Sequence, residues 1–261
     1  MADYNMLLIE VDGPLAIVTI NRPKALNAIN VEVMTELGTF FREDLPEQKE
    51  IRGVILRGAG EKAFVAGADI KEFLDLSGSE GRDLAERGQR IFDDIEACPV
   101  PVIAVIQGYA LGAGCELAMA CHMRVASERA RFGQPEVNLG LLPGYGGTQR
   151  LVQLIGETKA IELLLTADMI DAKEAYRLGL VNHVLPQGEE LAKAKEILQK
   201  IATKAPIAVA SVIEAVNAGN DPNTDGYAAE VHNFGKCCNT ADFREGAAAF
   251  VEKRPANFQG K

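Results

Sequence analysis

The chain of 261 residues has no excess of basic residues: 27 Lys and Arg stand against 37 Asp and Glu, for a net charge of −10. Nucleic-acid binders generally show a basic balance or a basic stripe, and this chain shows neither. An anionic ligand therefore has to be held by a few local cations and by backbone N–H groups. No cysteine pair has CxxC spacing. The five cysteines (Cys98, Cys115, Cys121, Cys237, Cys238) are odd in number and two are adjacent, which suits reduced thiols in an intracellular protein. The start, Met1-Ala2-Asp3-Tyr4-Asn5, lacks the positive and apolar stretches of a secretory signal. Long hydrophobic runs are missing too. The most apolar stretch, 100–121, is interrupted by Pro101, Gln107, Glu116 and three glycines, whereas a membrane helix is continuous and nearly free of charge. These absences predict a cytoplasmic protein with neither a membrane nor a nucleic-acid partner.

Several chemistries lack their signatures. A dinucleotide fingerprint on Gly112-Ala113-Gly114 requires Gly or Ala at 117, where Leu117 stands, and no GK[ST] marks a P-loop. GxSxG is absent. The three histidines (His122, His183, His232) are scattered without metal-ligand spacing, so each reads as structural and no metal site is expected. Carboxylates remain as the candidates for acid–base work.

What is present is an ordinary globular composition, 48% hydrophobic and 25% charged, in a chain long enough to bury a core without staples. Residues 7–11 and 15–20 read as a hairpin about Asp12-Gly13-Pro14. Asn30 caps a predicted helix over 31–45. A buried strand at 53–57 leads to a loop at 58–68 and helices near 69–76 and 80–97. Another strand at 102–107 enters a glycine turn, Gly108–Gly114, and a helix from about 115, followed by strands at 123–126 and 130–133. This alternation argues for an α/β fold with a mostly parallel sheet. From 147 onward the pattern is helical with little strand: 147–155, 158–165, 172–178, 189–203, 206–217, 224–236 and 241–252. No internal repeat or linker stands out. The expected organisation is an α/β core over 1–200 holding the active site, with a helical region over 201–261 that needs a surface to pack on; self-association is its natural use.

Three segments carry chemistry. Ala63-Phe64-Val65-Ala66-Gly67-Ala68-Asp69-Ile70-Lys71-Glu72 runs from strand toward helix, where unpaired N–H groups gather. Gln107-Gly108-Tyr109-Ala110-Leu111-Gly112-Ala113-Gly114-Cys115-Glu116 repeats that arrangement, and two such turns can aim two N–H groups at one oxygen. Glu116 sits in the first turn of an apolar helix, where a carboxylate is either a dipole partner or paired and working. In Phe132-Gly133-Gln134-Pro135-Glu136, the second acid follows a proline at a helix or loop start; alone it reads as a surface N-terminal acid. The glycines of Gly144-Tyr145-Gly146-Gly147 form another backbone-lined surface ahead of Thr148-Gln149-Arg150.

Taken in order, AFVAGADIKE, GYALGAGCELAMAC, FGQPEVNLGLLPGYGGTQRL and AFVEKR resemble the crotonase superfamily, and within it the enoyl-CoA hydratases, over nearly the whole chain. The resemblance implies a crotonase-like ββα spiral core with a helical C-terminal trimerisation region. It implies reversible addition of water to trans-2-enoyl-CoA to give 3-hydroxyacyl-CoA, as in fatty-acid β-oxidation or a related route. By the same resemblance Glu116 and Glu136 are the catalytic pair, Glu136 as the principal acid and Glu116 as base or water-holder, while the amides of Ala68 and Ala113 form the oxyanion hole. Many hydratases have glycine where Ala113 stands; the donor is a backbone N–H, which alanine also supplies at negative φ. The Gly144 amide is implied to orient the water. CoA contacts are implied along Ala66, Ala68, Asp69, Ile70 and Lys71, and at Lys253 from a neighbouring subunit, with Lys24 and Arg22 as further phosphate candidates. No cofactor is implied, since CoA arrives with the substrate, and the expected assembly is a trimer or a dimer of trimers. A single acid at Glu136 would suit an isomerase; the second glutamate favours hydration. A dehydratase running the step backwards and a noncatalytic acyl-CoA-binding relative are the alternatives.

Overall fold

The structure, a computed structural model, describes residues 2–261. Strands β1 (Leu7–Asp12) and β2 (Leu15–Ile20) form the expected antiparallel hairpin, and Gly13 supplies the positive φ of 57° that its turn needs. Helix α1 (Val31–Thr39) begins at Asn30, whose side chain accepts from the Val33 N–H. It passes through a π turn at Phe40–Asp44 into the short α2 (Leu45–Glu47). The wider turn lets Phe40 and Phe41, adjacent in sequence, both point into the core.

From here a three-part unit recurs. Strand β3 (Gly53–Gly58) leads to β4 (Ala63–Val65) and α3 (Gly78–Glu96). Strand β5 (Val102–Ile106) leads to β6 (Tyr109–Leu111) and α4 (Ala113–Ala120). Strand β7 (Met123–Ser127) leads to β8 (Arg131–Gly133), then to α5 (Gly147–Ile155) and α6 (Glu157–Thr166). After β9 (Ile170–Asp171), α7 (Ala172–Arg177), β10 (His183–Leu185) and α8 (Glu190–Ala202), the chain ends in α9 (Pro206–Asn220), α10 (Gly226–Cys238) and α11 (Ala241–Glu252). The six-stranded sheet runs β1-β2-β3-β5-β7-β10, parallel throughout apart from the first hairpin. A smaller sheet runs β4-β6-β8-β9, with only its last pair antiparallel. Each turn of the chain thus lays one strand in each sheet, which is the expected ββα spiral.

The near-continuous apolar strands follow from burial on both faces. Most of the core lies between the large sheet and helices α1, α3 and α4. The opposite face, with Leu15, Ile17, Ile55, Ile103 and Val125, is covered by Ala194 and Leu198 of α8.

Four expectations change. The loop at 58–68 contains β4, and the turn at 108–114 contains β6 and the start of α4. The helix over 69–76 is reduced to a 3-10 turn at Ile70–Glu72, because residues 66–69 are held extended by backbone hydrogen bonds to Leu26 and Ile29. The C-terminal half includes β9 and β10, which have two and three residues, too few to show a period. The recurring unit is structural, with no matching sequence repeat.

The last three helices bury little. Val212 and Val216 on α9, Tyr227, Val231 and Phe234 on α10, and Phe250 and Val251 on α11 are all exposed. No single helix among the described residues is long and apolar enough to cross a membrane.

Candidate active site

The first donor is set by a strap. Ile29 donates its N–H to the Gly67 carbonyl at 2.9 Å and accepts from the Asp69 N–H at 2.7 Å. This parallel bridge is centred on Ala68, and such a bridge turns the N–H of its central residue to the other side. There Ala68 lines a cavity of about 500 Å³. Behind the strap, Asn27 is buried and donates to the carbonyls of Ala59 and Ala63 at 2.9 and 3.0 Å. Gln107 donates to those of Gly58 and Ala63 at 2.8 and 2.9 Å. These two amides fix the approach to β4.

The second donor is Ala113, first residue of α4, whose N–H has no partner within the helix. Gly112 precedes it with a φ of 49°, a conformation that turns the chain sharply from β6 into the helix. Ala113 itself is outside the positive-φ set, so its side chain costs the turn nothing. Gly114 faces the Val65 carbonyl with no room for a Cβ, and this close contact ties the two donor segments together.

Glu116, on the cavity side of α4, is only 1% exposed. Its Oε1 accepts from the Tyr145 N–H at 2.8 Å and the Gly147 N–H at 2.7 Å, which leaves Oε2 for the cavity. Burial, reinforced by the charge of Glu136, pushes its pKa up to about 7 against the pull of those two amides. Glu136 opens the 3-10 turn Glu136–Leu139, and burial raises its pKa as well. The Gln134 side-chain amide, with its nitrogen toward Glu136, donates to both carboxylate oxygens at 3.2 and 3.1 Å. Glycines make room for both acids. A Cβ on Gly112 would stand 2.8 Å from Glu136 Oε1, and one on Gly147 would stand 2.8 Å from Glu116 Oε1.

The cavity therefore has two free N–H donors at one end, two carboxyls of raised pKa beside them, and an apolar wall of Ile70, Phe73, Leu76, Leu84, Leu139 and Leu142. Gly144 lines it between Pro143 and Tyr145, with its carbonyl accepting from Gln89 Nε2 at 2.9 Å. Such a site can stabilise negative charge on one oxygen while protons move at atoms nearby.

The other sequence candidates fall at different distances from this cavity. Ala66 and Ile70 line it. The Asp69 carboxylate is turned to Arg22, 2.9 Å away, whose hydrogen bond lowers its pKa. Lys24 and Lys71 are exposed and lie outside the lining. Lys253 ends α11 in a left-handed conformation, φ 54°, exposed and away from its own chain's cavity. His122 is structural: its Nδ1 accepts from the Val102 N–H at 2.8 Å and its other ring nitrogen meets the Glu96 carbonyl at 3.0 Å. Sequence reasoning missed Gln89, Gln134 and Arg150. Only Arg150, a cation in an apolar helical stretch, carried a signal that burial would give it work.

Residues 10–261 match the family described as enoyl-CoA hydratase/isomerase. A short-chain-enoyl-CoA hydratase of Clostridium acetobutylicum is 47% identical over 253 residues, covering 97% of each chain. A crotonyl-CoA hydratase of Syntrophomonas wolfei is 45% identical, covering 99% of each. Among solved structures, an enoyl-CoA hydratase from Bacillus anthracis superposes with a TM-score of 0.92 at 38% identity, covering 98% of this chain and all of the other (100%).

Proposed function

The chain belongs to the enoyl-CoA hydratase/isomerase family and acts as an enoyl-CoA hydratase, and we propose that it takes short-chain trans-2-enoyl-CoA through Glu116, Glu136 and the amides of Ala68 and Ala113. The observation that carries the site assignment is the convergence of the buried Glu116 carboxyl, the half-buried Glu136 carboxyl and two outward-facing N–H groups on one cavity.

The thioester oxygen lies between the Ala68 and Ala113 N–H groups. When water adds at C3, electron density moves through Cα onto that oxygen, and the two fixed donors stabilise it without reorganising. Glu116, with Oε1 pinned by two amides, uses Oε2 to take a proton from the water. A pKa of about 7 leaves it substantially ionised near neutrality and still basic enough to accept that proton. Glu136, whose pKa burial raises, is the acid that delivers a proton to Cα. The Gly144 amide orients the water, and the reverse sequence dehydrates the product. All proton transfers are supplied by these side chains, so the step calls for no cofactor beyond the CoA of the substrate.

Short acyl chains are supported by the names of the relatives. Ala66, Ala68, Asp69, Ile70, Lys71, Lys24 and a neighbouring subunit's copy of Lys253 are the proposed CoA contacts, in a cytoplasmic enzyme of acyl-CoA breakdown. The test is loss of the conjugated enoyl-thioester absorbance. Four-carbon crotonyl-CoA is expected to be hydrated with a higher kcat/KM than a ten-carbon enoyl-CoA. A folded protein inactive across such a panel would overturn the assignment.

The core over 1–200 and helices over 201–261 form the proposed division of the chain. The exposed apolar residues of α9–α11 support self-association through these helices. Sedimentation is expected to give three or six times the 28.1 kDa chain mass; a monomer at working concentration would reject this arrangement.

A further inference from the structure

Arg150 lies on α5, one turn beyond the glycine turn that holds Glu116, and is 7% exposed. Its guanidinium makes three directed bonds. Nε donates to Glu96 Oε2 at 2.8 Å, Nη2 donates to Asp93 Oδ1 at 2.6 Å, and Nη1 donates to the Tyr145 carbonyl at 2.9 Å. Asp93 and Glu96 stand on the same face of α3 as Gln89, at spacings of four and three, and Gln89 holds the Gly144 carbonyl. Successive peptides of the turn are thus fixed from one side. The peptide between 144 and 145 is gripped by Gln89 at its carbonyl and gives its N–H to Glu116. The next is gripped by Arg150 at the Tyr145 carbonyl. The third, between 146 and 147, gives its N–H to Glu116 and its carbonyl to the Arg150 N–H. Gly146 adopts a φ of 96° and has the Arg150 guanidinium where a Cβ would be, so the arginine and the turn are fitted to each other.

A cation this buried is costly unless its donors are used, and a lysine carries no planar fork to use them. Folding alone is a poor account of the arrangement, because the group the arginine holds is the backbone that aims Glu116. We infer that Arg150 is a positioning residue for hydration, tying the Tyr145–Gly147 backbone to α3 so that the Glu116 carboxyl is held at the water site. The inference rests on the hydratase reading and adds a residue to it.

Two substitutions separate charge from geometry. Arg150→Lys keeps the cation without the fork; Arg150→Met removes both. Each is expected to lower kcat for crotonyl-CoA by roughly 10- to 100-fold, the size of effect seen for about an ångström of misplacement, with KM changed less than about threefold because no substrate contact is removed. The acid limb of the kcat–pH profile supplies the readout that a purely structural role leaves unmoved. Arg150 favours the ionised form of Glu116, as do the Tyr145 and Gly147 amides. Losing the cation and loosening those amides therefore moves the acid limb to higher pH, further in Arg150→Met than in Arg150→Lys. The titratable and charged groups around Arg150 are Asp93 and Glu96 on α3, Glu116 on α4, Cys121, His122 and Arg124 beyond it, and Asp221 after α9. Burial raises the pKa of Cys121 to about 12, far above the acid limb, and lowers that of His122.

Wild-type kcat and an unmoved acid limb in folded variants would overturn the inference, as would a loss of melting temperature without loss of kcat. If neither variant folds, Glu96→Gln keeps Arg150 in place and removes one anchor; a several-fold lower kcat at wild-type KM is expected, and wild-type kcat would refute the role. Wild-type protein assayed in parallel separates this outcome from failure of the hydratase reading, which predicts no turnover in any sample.

Discussion

Glu136→Gln is expected to lower kcat for crotonyl-CoA hydration by about 10³-fold, and Glu116→Gln by a similar factor, with the fold intact in both. The magnitude is that of a general acid or base removed from a fixed site. An amide is nearly isosteric with a carboxyl, so neither change opens a cavity. In Glu116→Gln the side-chain oxygen still accepts from the Tyr145 and Gly147 N–H groups, and what is lost is the basic second oxygen. The double variant is expected to be little worse than the worse single, because each proton transfer is useless without the other. Steady-state rates beside circular dichroism make the check; a folded single variant within tenfold of wild type would remove that glutamate from the mechanism.

Stability gives an independent sign for Glu116. Its pKa is raised from 4.5 to about 7 on folding, so the folded state binds the proton more tightly than the unfolded chain. Stability is then greatest below about pH 4.5 as far as this group is concerned, and is lost as pH rises toward 7. Above pH 7 the ionised carboxylate works against the fold. Glu116→Gln removes that cost, and its melting temperature at pH 8 should equal or exceed that of wild type. A dead enzyme that melts no lower than its parent is the behaviour of a residue kept for chemistry.

How far the sequence could be read depended on the length scale of each feature. Strands such as Leu15–Ile20 and Val102–Ile106 are buried on both faces, so their apolar runs were visible. Strands β4 and β6 have three residues each, too few for an alternation to stand out, and lie in glycine-rich segments that imitate loops. The small sheet could be recognised only once the large one was closed. Glu116 was legible because a carboxylate in an apolar helix demands an explanation. Glu136 was legible only through the family resemblance, since by itself a glutamate after Pro135 is an ordinary helix-start residue until Gln134 and Gly112 are seen packed against it. The Ala68 donor was reached through the resemblance alone: its direction is set by Ile29, thirty-nine positions earlier, and no property of Ala68 itself records it. Arg150 stood in the sequence with its charge evident and its purpose hidden, because Asp93 and Glu96 lie on a helix that only the fold brings alongside.

The backbone donor at Ala113 allows a test that leaves every side chain of the site in place. Ala113 is the first residue of α4 and its N–H bonds to nothing in the helix. Proline is tolerated at that position, since its missing N–H is one the helix does not use and its φ is already near the helical value. Ala113→Pro should therefore fold, and the helix should still present Glu116 to the Tyr145 and Gly147 amides. The oxyanion site loses one of its two donors, and the proline ring carbon occupies the place where that N–H pointed. Removing one such donor costs roughly 10²–10³ in kcat, and the ring adds steric exclusion of the thioester oxygen, so the expected loss is at least about 10²-fold. Affinity for free CoA, which has no thioester carbonyl, should stay near wild type by calorimetry. Loss of turnover with CoA binding retained assigns the defect to the charge that develops on the thioester oxygen. Normal turnover in the folded variant would show that the Ala113 N–H is not part of the hole, and the Gly112–Ala113 turn would then serve only to aim α4.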